Sequence, residues 1–422
     1  DAMRRTRAES LPVPVKLSKG EASRNFEQQR FERETAKEGS AAGGLLREHS
    51  ATESQNIIKN MEWMMDETGA VAPSARVTGS VVDDALRARS DMMKGKYRDA
   101  YKRAEKSGEM AELVDTTPLL RWVDENRSSM GTASVIKTVE DELVRLGGAT
   151  RTEKGILFPE KMQINDIEKM RKRIVTDSKG TESNGHYGKL ANETIDAMTE
   201  GKGGALYKEA RTLFKDHAAE FKNQGAIKKL LGTKPGTTDR AVAFEDVFDQ
   251  SILRGSRDDT AAIFRSLGEG GPKGAQAIAE LKGATMKYLQ DQASKNAARD
   301  IKGNPVLSYA KLTNSVRELE IDGKLELLFG KKGAQQIRDI TETIADLNVA
   351  PPGAVNTSTT SSVLMEALGA ALTGRLPTAT VKTVAGIKQA AGDYTKLRKV
   401  REALEVPEPP AVRGQRSSGT VH

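Results

Sequence analysis

The chain has 422 residues, 37% hydrophobic and 4% aromatic, with 66 basic and 59 acidic side chains, four His and no Cys. That length allows two or three domains or one extended assembly, while so little aromatic bulk, which carries much of the burial energy in cores and pockets, is thin for a compact enzyme. The absence of Cys excludes disulfides, thiolate metal sites and Cys nucleophiles, and a net charge of +7 with mean hydropathy −0.54 suits phosphate-rich or anionic surroundings without making a histone-like binder.

Asp1 to Gly20 carries Arg4, Arg5 and Arg7 with no apolar run behind them, so no secretory signal is visible. The first forty residues are charged, and Leu11-Pro12-Val13-Pro14 predicts an extended piece ahead of a polar helix. This stretch reads as an arm in need of a neighbour. In Ser80 to Lys106, Val82, Leu86, Arg89, Met93, Tyr97, Ala100 and Ala104 form one stripe with spacings of 4, 3, 4, 4, 3 and 4, about 3.67 residues per turn, which suits a long, nearly straight helix. Arg89 interrupts the stripe and requires a buried pair or a polar seam.

Thr117-Pro118 predicts an N-cap and a first-turn proline for a helix through Val123. Ser134 to Leu146 predicts a helix stopped by Gly147 and Gly148. A helix over Asn165 to Val175 opens with capping-box spacing, Asn165-x-x-Glu168. Tyr207, Ala210, Phe214, Ala218 and Phe221 give a further apolar face. Asp258-Asp259 starts a helix to Leu267, the Gly268 to Gly274 turn leads into one through about Ala293, and Lys331 to Leu347 is helical, with Ile337, Ile340, Ile344 and Leu347 at spacings of 3, 4 and 3. No useful stretch alternates with period two.

Gly353 to Gly392 is Gly/Ala/Ser/Thr-rich, 23 of 40 residues, a composition that permits close helix approach. It holds two apolar patches, Val363, Leu364, Leu368 and Leu372, then Val381, Val384 and Ile387. Helices lying on a membrane or lining a channel, helices packed between subunits, and an ordinary hairpin over the core all fit. The charge-free Leu347 to Met365 is too rich in Pro, Asn, Ser and Thr to span a bilayer, and the chain reads as soluble. Lys396, Arg398, Lys399 and Arg401 then bunch together. This cluster and Arg4, Arg5 and Arg7 are the candidate contacts for nucleic acid or an anionic surface, a solvated helix face being the alternative. A start at Asp1 and a Pro/Ser/Gly tail from Pro407 to His422 read as a processed part of something longer.

No motif assigns a catalytic, cofactor or metal site. His217 and Glu220 lie three apart on a helix, but a metal needs three or four converging donors, so His217 reads as a capping or face-edge histidine. Gly268-Glu-Gly-Gly-Pro-Lys-Gly274 fits neither a dinucleotide fingerprint nor a Walker loop. Carboxylates such as Glu32 and Glu34, or Asp141 and Glu142, read as solvated faces. The fold class is therefore all-α, elongated and multi-helical, with little or no β-structure: an arm over 1–40, a helical body over 41–352, a small-residue helical region over 353–406 and a flexible tail over 407–422.

Several phrases carry a resemblance: LPVPVKLSKGEASRNFEQQRFERET from Leu11 to Thr35, SSVLMEALGAALTGRLPT from Ser361 to Thr378 leading to KLRKVREALE, FRSLGEGGPKGAQAI from Phe264 to Ile278 and LFGKKGAQQIRDI from Leu328 to Ile340. Together they cover about a third of the chain, and they resemble the internal, DNA-ejection proteins of short-tailed bacteriophages. The resemblance implies a non-enzymatic virion protein held near the portal and ejected into the host envelope and periplasm. There it would assemble with itself and other ejection proteins into a ring or tube, with genomic DNA touched non-specifically and the host membrane as a further partner. Exposed apolar stripes on separate helices would be buried between copies, and Lys169, Arg171, Lys172 and Arg173 would face either the DNA path or solvent. Some such proteins carry a peptidoglycan-cleaving domain, but no matching active-site segment stands here. A scaffold, head-completion or portal-associated protein and a helical nucleic-acid-binding protein are the alternatives, with an enzyme as the residual one.

Overall fold

The computed structural model describes residues 1–155, 157–348 and 385–405, with 385–391 as backbone only. The chain is predominantly α-helical, 73% helix, as the helical periodicity predicts. It divides into two compact units: unit 1 is built from Asp1–Ala85 and the chain from Gly232 onward, unit 2 from Leu86–Leu231.

Unit 1 begins with α1 (Ala2–Glu9), α2 (Lys19–Ser23), α3 (Phe26–Ala36) and α4 (Ala41–Asp66). The first forty residues are no free arm. Ala8, Leu11, Val15 and Leu17 are buried, because a stretch with this much apolar surface packs onto its own unit, and the expected extended piece is instead bent at Leu11 to Val13, with the Val15 N–H donating back to the Ala8 carbonyl at 3.0 Å. A capping box at Ser18 and Glu21 starts α2. The unit resumes with α12 (Arg257–Gly268), α13 (Gly271–Ser294), α14 (Tyr309–Ile321), α15 (Lys324–Asn348) and α16 (Ala385–Ala403). Ile337, Ile340 and Ile344 are buried, and α15 starts seven residues before the expected Lys331, broken at Gly330 with φ 69° and ψ 173°. The Gly-rich run is a helix–helix turn. A Cβ at Gly274 would lie 1.8 Å from the Leu267 carbonyl oxygen, so glycine there sets the approach of α13 to α12.

The long helix α5 (Ala75–Lys106) starts five residues ahead of the expected Ser80 and crosses the boundary between units. Within unit 2 follow α6 (Thr117–Asn126), α7 (Ser134–Arg145), α8 (Ile164–Asp177), α9 (Glu182–Met198), α10 (Gly204–Ala218), a π turn over Ala219–Asn223 and α11 (Gly225–Leu231). Two antiparallel ladders of three residues per strand join them. β1 (Leu113–Asp115) pairs with β4 (Lys161–Gln163), and β2 (Ala149–Arg151) pairs with β3 (Leu157–Pro159). Three residues are too few for an alternating pattern to stand out in a sequence. The core joins Leu119, Val123, Ile136, Val139, Leu143, Ile164, Ile167, Met170, Ile174 and Ile195, all buried.

Two expected caps are corrected. Thr116, not Thr117, is the N-cap of α6. Its hydroxyl is buried and donates towards the Gly148 and Glu160 carbonyls, while Asp115 accepts from the Thr117 N–H at 3.0 Å and supplies the capping carboxylate. The N-cap of α8 is Gln163, not Asn165, since Glu168 is drawn into a buried ion network instead of reaching back.

The expected apolar stripe of α5 does not lie open. In α5, Val82, Leu86, Ala100 and Ala104 are at most 1% exposed, so the stripe is covered by its own chain. Exposed large hydrophobics among the described residues, such as Met3, Val71, Phe158 and Ile321, stand apart in sequence.

Candidate functional site

The N-terminal cations are held by carboxylates of their own unit. Arg4 Nε lies 3.3 Å from Asp346 of α15, Arg7 pairs with Asp346 and Glu342, and Arg5 reaches Glu405 at 2.9 Å. Lys19 meets Glu402 at 3.4 Å, and Lys396 meets Glu38 at 2.6 Å. These pairs form an ionic clasp between residues 1–38 and the late helices α15 and α16. Beside it Ala42, Leu46 and Val400 form a buried apolar cluster, with Phe31, Ala36, Leu45, Leu397 and Leu404 packed against it. Of the second cluster, Arg398 and Lys399 are exposed and Arg401 is half-buried. Val363, Leu364, Leu368, Leu372, Val381 and Val384 lie outside the described residues, and Ile387 falls in the part of α16 described as backbone only.

In unit 2, Arg171 faces neither solvent nor an open path. It is buried, 3.1 Å from Glu168 and 2.6 Å from Asp196. Arg211 binds Asp196 at 2.6 Å and Tyr101 at 3.3 Å, Lys215 lies 3.1 Å from Asp196, and the Tyr207 hydroxyl donates to Glu168 at 2.7 Å. Burial opposes the Asp196 charge, yet Arg171, Arg211 and Lys215 outweigh it and hold the carboxyl below its ordinary range. Burial, with Glu168 adding to it, pushes Tyr101 up to about 12. The network ties α5, α8, α9 and α10 together, its opposite charges facing one another rather than a cleft. Lys169 and Arg173 pair locally with Asp166 and Asp177, and Lys172 is exposed.

His217 is a core residue, 3% exposed, which corrects the face-edge expectation. Its ring stacks on Phe221 at 5.3 Å, its Nε2 lies 3.0 Å from Ser90 Oγ, and its Nδ1 has no hydrogen-bond partner. Burial, reinforced by Lys222 and Lys94, holds its basicity down. A serine–histidine contact of this length resembles a nucleophile with its base, but Ser90 is buried too and no carboxylate orients the imidazole, so the pair serves packing. Glu220 turns to Arg89, Oε1 to Nε at 3.3 Å, which is the buried pair the α5 stripe requires. Among the described residues no group of three or more His, Asp or Glu could hold a metal ion, and no helix is long and apolar enough to cross a membrane. An open cleft of about 600 Å³ between the ends of α7, α8 and α9 includes Thr138, Asp177 and Asn184. Thr138 donates to Asp177 at 2.6 Å and Asn184 accepts from the Val135 N–H at 3.3 Å, so these polar groups serve one another.

The arrangement most like a binding site lies on α4. Asn60 is fully buried. Its Oδ1 accepts from the Val13 N–H at 2.9 Å, and its Nδ2 donates to the Val13 carbonyl at 2.7 Å and to the Asn56 carbonyl at 2.9 Å. Glu53, also buried, accepts from the Lys16 N–H at 2.9 Å. Asn56 donates to the Pro14 carbonyl at 3.3 Å. Spacings of three and four put these side chains on one helix face, where they bond the backbone of the non-helical segment Leu11 to Ser18. At its far end, Glu32 of α3 accepts from the Ser18 hydroxyl at 2.7 Å and the Gly20 N–H at 2.9 Å. Glu32 is therefore buried rather than solvated, and burial raises its carboxyl above the ordinary range.

The sequence reading passed over Glu53, Asn56 and Asn60, because polar residues at helical spacing look like a solvated face. The available signal was a Pro-Val-Pro segment that cannot satisfy its own backbone, followed by a long helix carrying two amides and a carboxylate on one face. Comparison of the chain with protein-family models, curated proteins and solved structures found no match.

Proposed function

We propose that the chain is a structural ejection protein of a short-tailed bacteriophage. It is carried inside the virion near the portal, delivered ahead of the genome into the host envelope, and assembled there with its own copies into a helical ring or tube. The observation that supports this reading is the ionic clasp of unit 1. The chain's first and late segments are joined by Arg4, Arg5, Arg7, Lys19 and Lys396 on carboxylates, beside the apolar cluster around Val400. The outer pairs, Arg5 with Glu405, Lys19 with Glu402 and Lys396 with Glu38, are weak one by one and sensitive to salt. They suit a protein that must be compact in store and loosen in passage. Local helical order and few aromatic anchors point the same way.

The test is the protein content of the virus particles before and after genome release. The chain is expected in full particles and missing from emptied ones. A chain absent from mature particles would indicate a scaffold and sink the proposal, as would one retained after release.

A further inference from the structure

Unit 2, Leu86–Leu231, carries 28 basic and 23 acidic side chains, so five of the chain's seven excess positive charges fall within it. On α5 some of them stand in a row. Arg87, Lys94 and Arg98, at spacings of 7 and 4, share one helix face, with Arg87 and Arg98 exposed and Lys94 half-buried. At 1.5 Å of rise per residue that row is about 16 Å long. Asp91 is the one acid on the face between Arg87 and Arg98, and Lys94 already engages it at 2.9 Å. We infer that this face of unit 2 binds the phosphate backbone of a nucleic acid, by charge and without regard to sequence.

Beside the row stands Lys222. The π turn after α10 carries it over the Phe214 ring, 5.0 Å from the centroid, and Phe214 meets Tyr97 of α5 edge-on at 5.4 Å. Partial burial there, then the like charges of Lys179 and Lys94, hold the basicity of Lys222 down. Glu220, the acid of the π turn, is committed to Arg89 at 3.3 Å. Among the described residues no carboxylate lies at ion-pair distance from Arg98, Lys179 or Lys222, whereas the N-terminal arginines of unit 1 are clasped. Like charges drawn together in this way repel one another, and a bound anion relieves them. A single phosphate would engage one end of the row, while a chain of phosphates engages its length. A lipid surface would call for apolar side chains among the cations, and none of the exposed large hydrophobics lies on the row. The Tyr97 and Phe214 rings face each other and Lys222, so the contact is to backbone and carries no sequence readout. The choice of DNA as the ligand rests on the ejection reading. The charge pattern does not.

The test is fluorescence anisotropy of the full chain with a short labelled DNA duplex, in salt from about 50 to 200 mM. Wild type should bind with an affinity that falls steeply as salt rises. Lys94→Gln/Arg98→Gln/Lys222→Gln should weaken binding tenfold or more at low salt and lower the slope of log affinity against log salt by about two to three. The control Lys172→Gln/Lys189→Gln removes two exposed lysines from elsewhere in unit 2 and should leave affinity within about twofold. In case the Lys222 change disturbs the fold, Arg98→Glu alone should still weaken binding several-fold. Wild type without saturable binding at low salt overturns the inference, as does a triple variant that binds like wild type. Equal losses in the triple variant and the control would mean binding by net charge alone and overturn it too. So would capture of the chain by phosphatidylserine vesicles with no binding to the duplex, which would assign the face to lipid. In each of these cases, particles that carry the chain and lose it on genome release leave the ejection reading standing.

Discussion

Arg89 and Glu220 meet inside unit 2, Nε to Oε1 at 3.3 Å and Nη2 to Oε2 at 3.4 Å, and fill the polar break in the apolar stripe of α5. Both side chains are largely buried, at 10% and 19% exposure, so each depends on the other more than a surface pair would. Glu220→Ala should destabilise the protein by about 2–3 kcal/mol by removing a charge partner of a buried guanidinium, whereas Arg89→Met with Glu220→Leu should recover most of that loss. Urea titration followed by circular dichroism reads both. Equal losses in the single and double variants would show that the pair does not act as a unit.

Acidification should act with opposite signs on the two units. In unit 1, burial disfavours the His49 cation, but its 3.4 Å contact with Glu21 and the nearby Glu53 and Glu32 outweigh burial and raise its value. That contribution is fully present below the unfolded value and is lost as pH rises through the folded one. His217 in unit 2 is depressed by burial, then by Lys222 and Lys94, so its contribution is present above the unfolded value and is lost as pH falls towards the folded one. Thermal scans at pH 7.5 and 5.5 should find that His49→Gln loses more stability on acidification than wild type, and that His217→Gln loses less. Identical pH responses in all three proteins would refute the assignment.

Asp346 receives both Arg4 and Arg7 while its side chain is 7% exposed, which makes it the hub of the clasp. Asp346→Asn should destabilise unit 1 by about 1–2 kcal/mol and speed trypsin cleavage within residues 1–24 several-fold. In wild type, raising salt from 0.1 to 1 M should speed that cleavage too, because the outer pairs are screened. Cleavage indifferent to both changes would show that apolar packing alone holds the N-terminus.

Gly274→Ala should be among the more damaging small changes in the chain. The added methyl group would meet the Leu267 carbonyl oxygen at 1.8 Å, so α12 and α13 must part, at roughly 1–3 kcal/mol. Gly95→Ala is the control. Nothing lies within 4 Å of its Cβ position, and in mid-helix it should be neutral or slightly stabilising. Midpoints of thermal unfolding compare the two.

Helix content was legible because it is written locally. The α5 stripe, the stop at Gly147 and Gly148 and the isoleucine ladder of α15 need only the 3.6-residue repeat and the conformational latitude of glycine. Even the requirement for a partner at Arg89 followed from that spacing. Glu220, 131 residues away, was out of reach, because a side chain's partner across the chain leaves no mark near it. The same holds for the caps of α6 and α8, where Thr116 and Gln163 take the N-cap positions that propensity alone assigned to Thr117 and Asn165.

Composition and spacing by themselves determined that this chain is made of helices, contains no cysteine chemistry and carries a helix-breaking proline pair near its start. Tertiary structure alone decided that the segment lies on Glu53, Asn56 and Asn60 of α4, that the terminal arginines are clasped by Asp346, Glu342 and Glu405, and that His217 is a core residue. The physical reason is that periodicity fixes which way a residue points along its own helix, while burial and charge pairing depend on which distant segment arrives to face it.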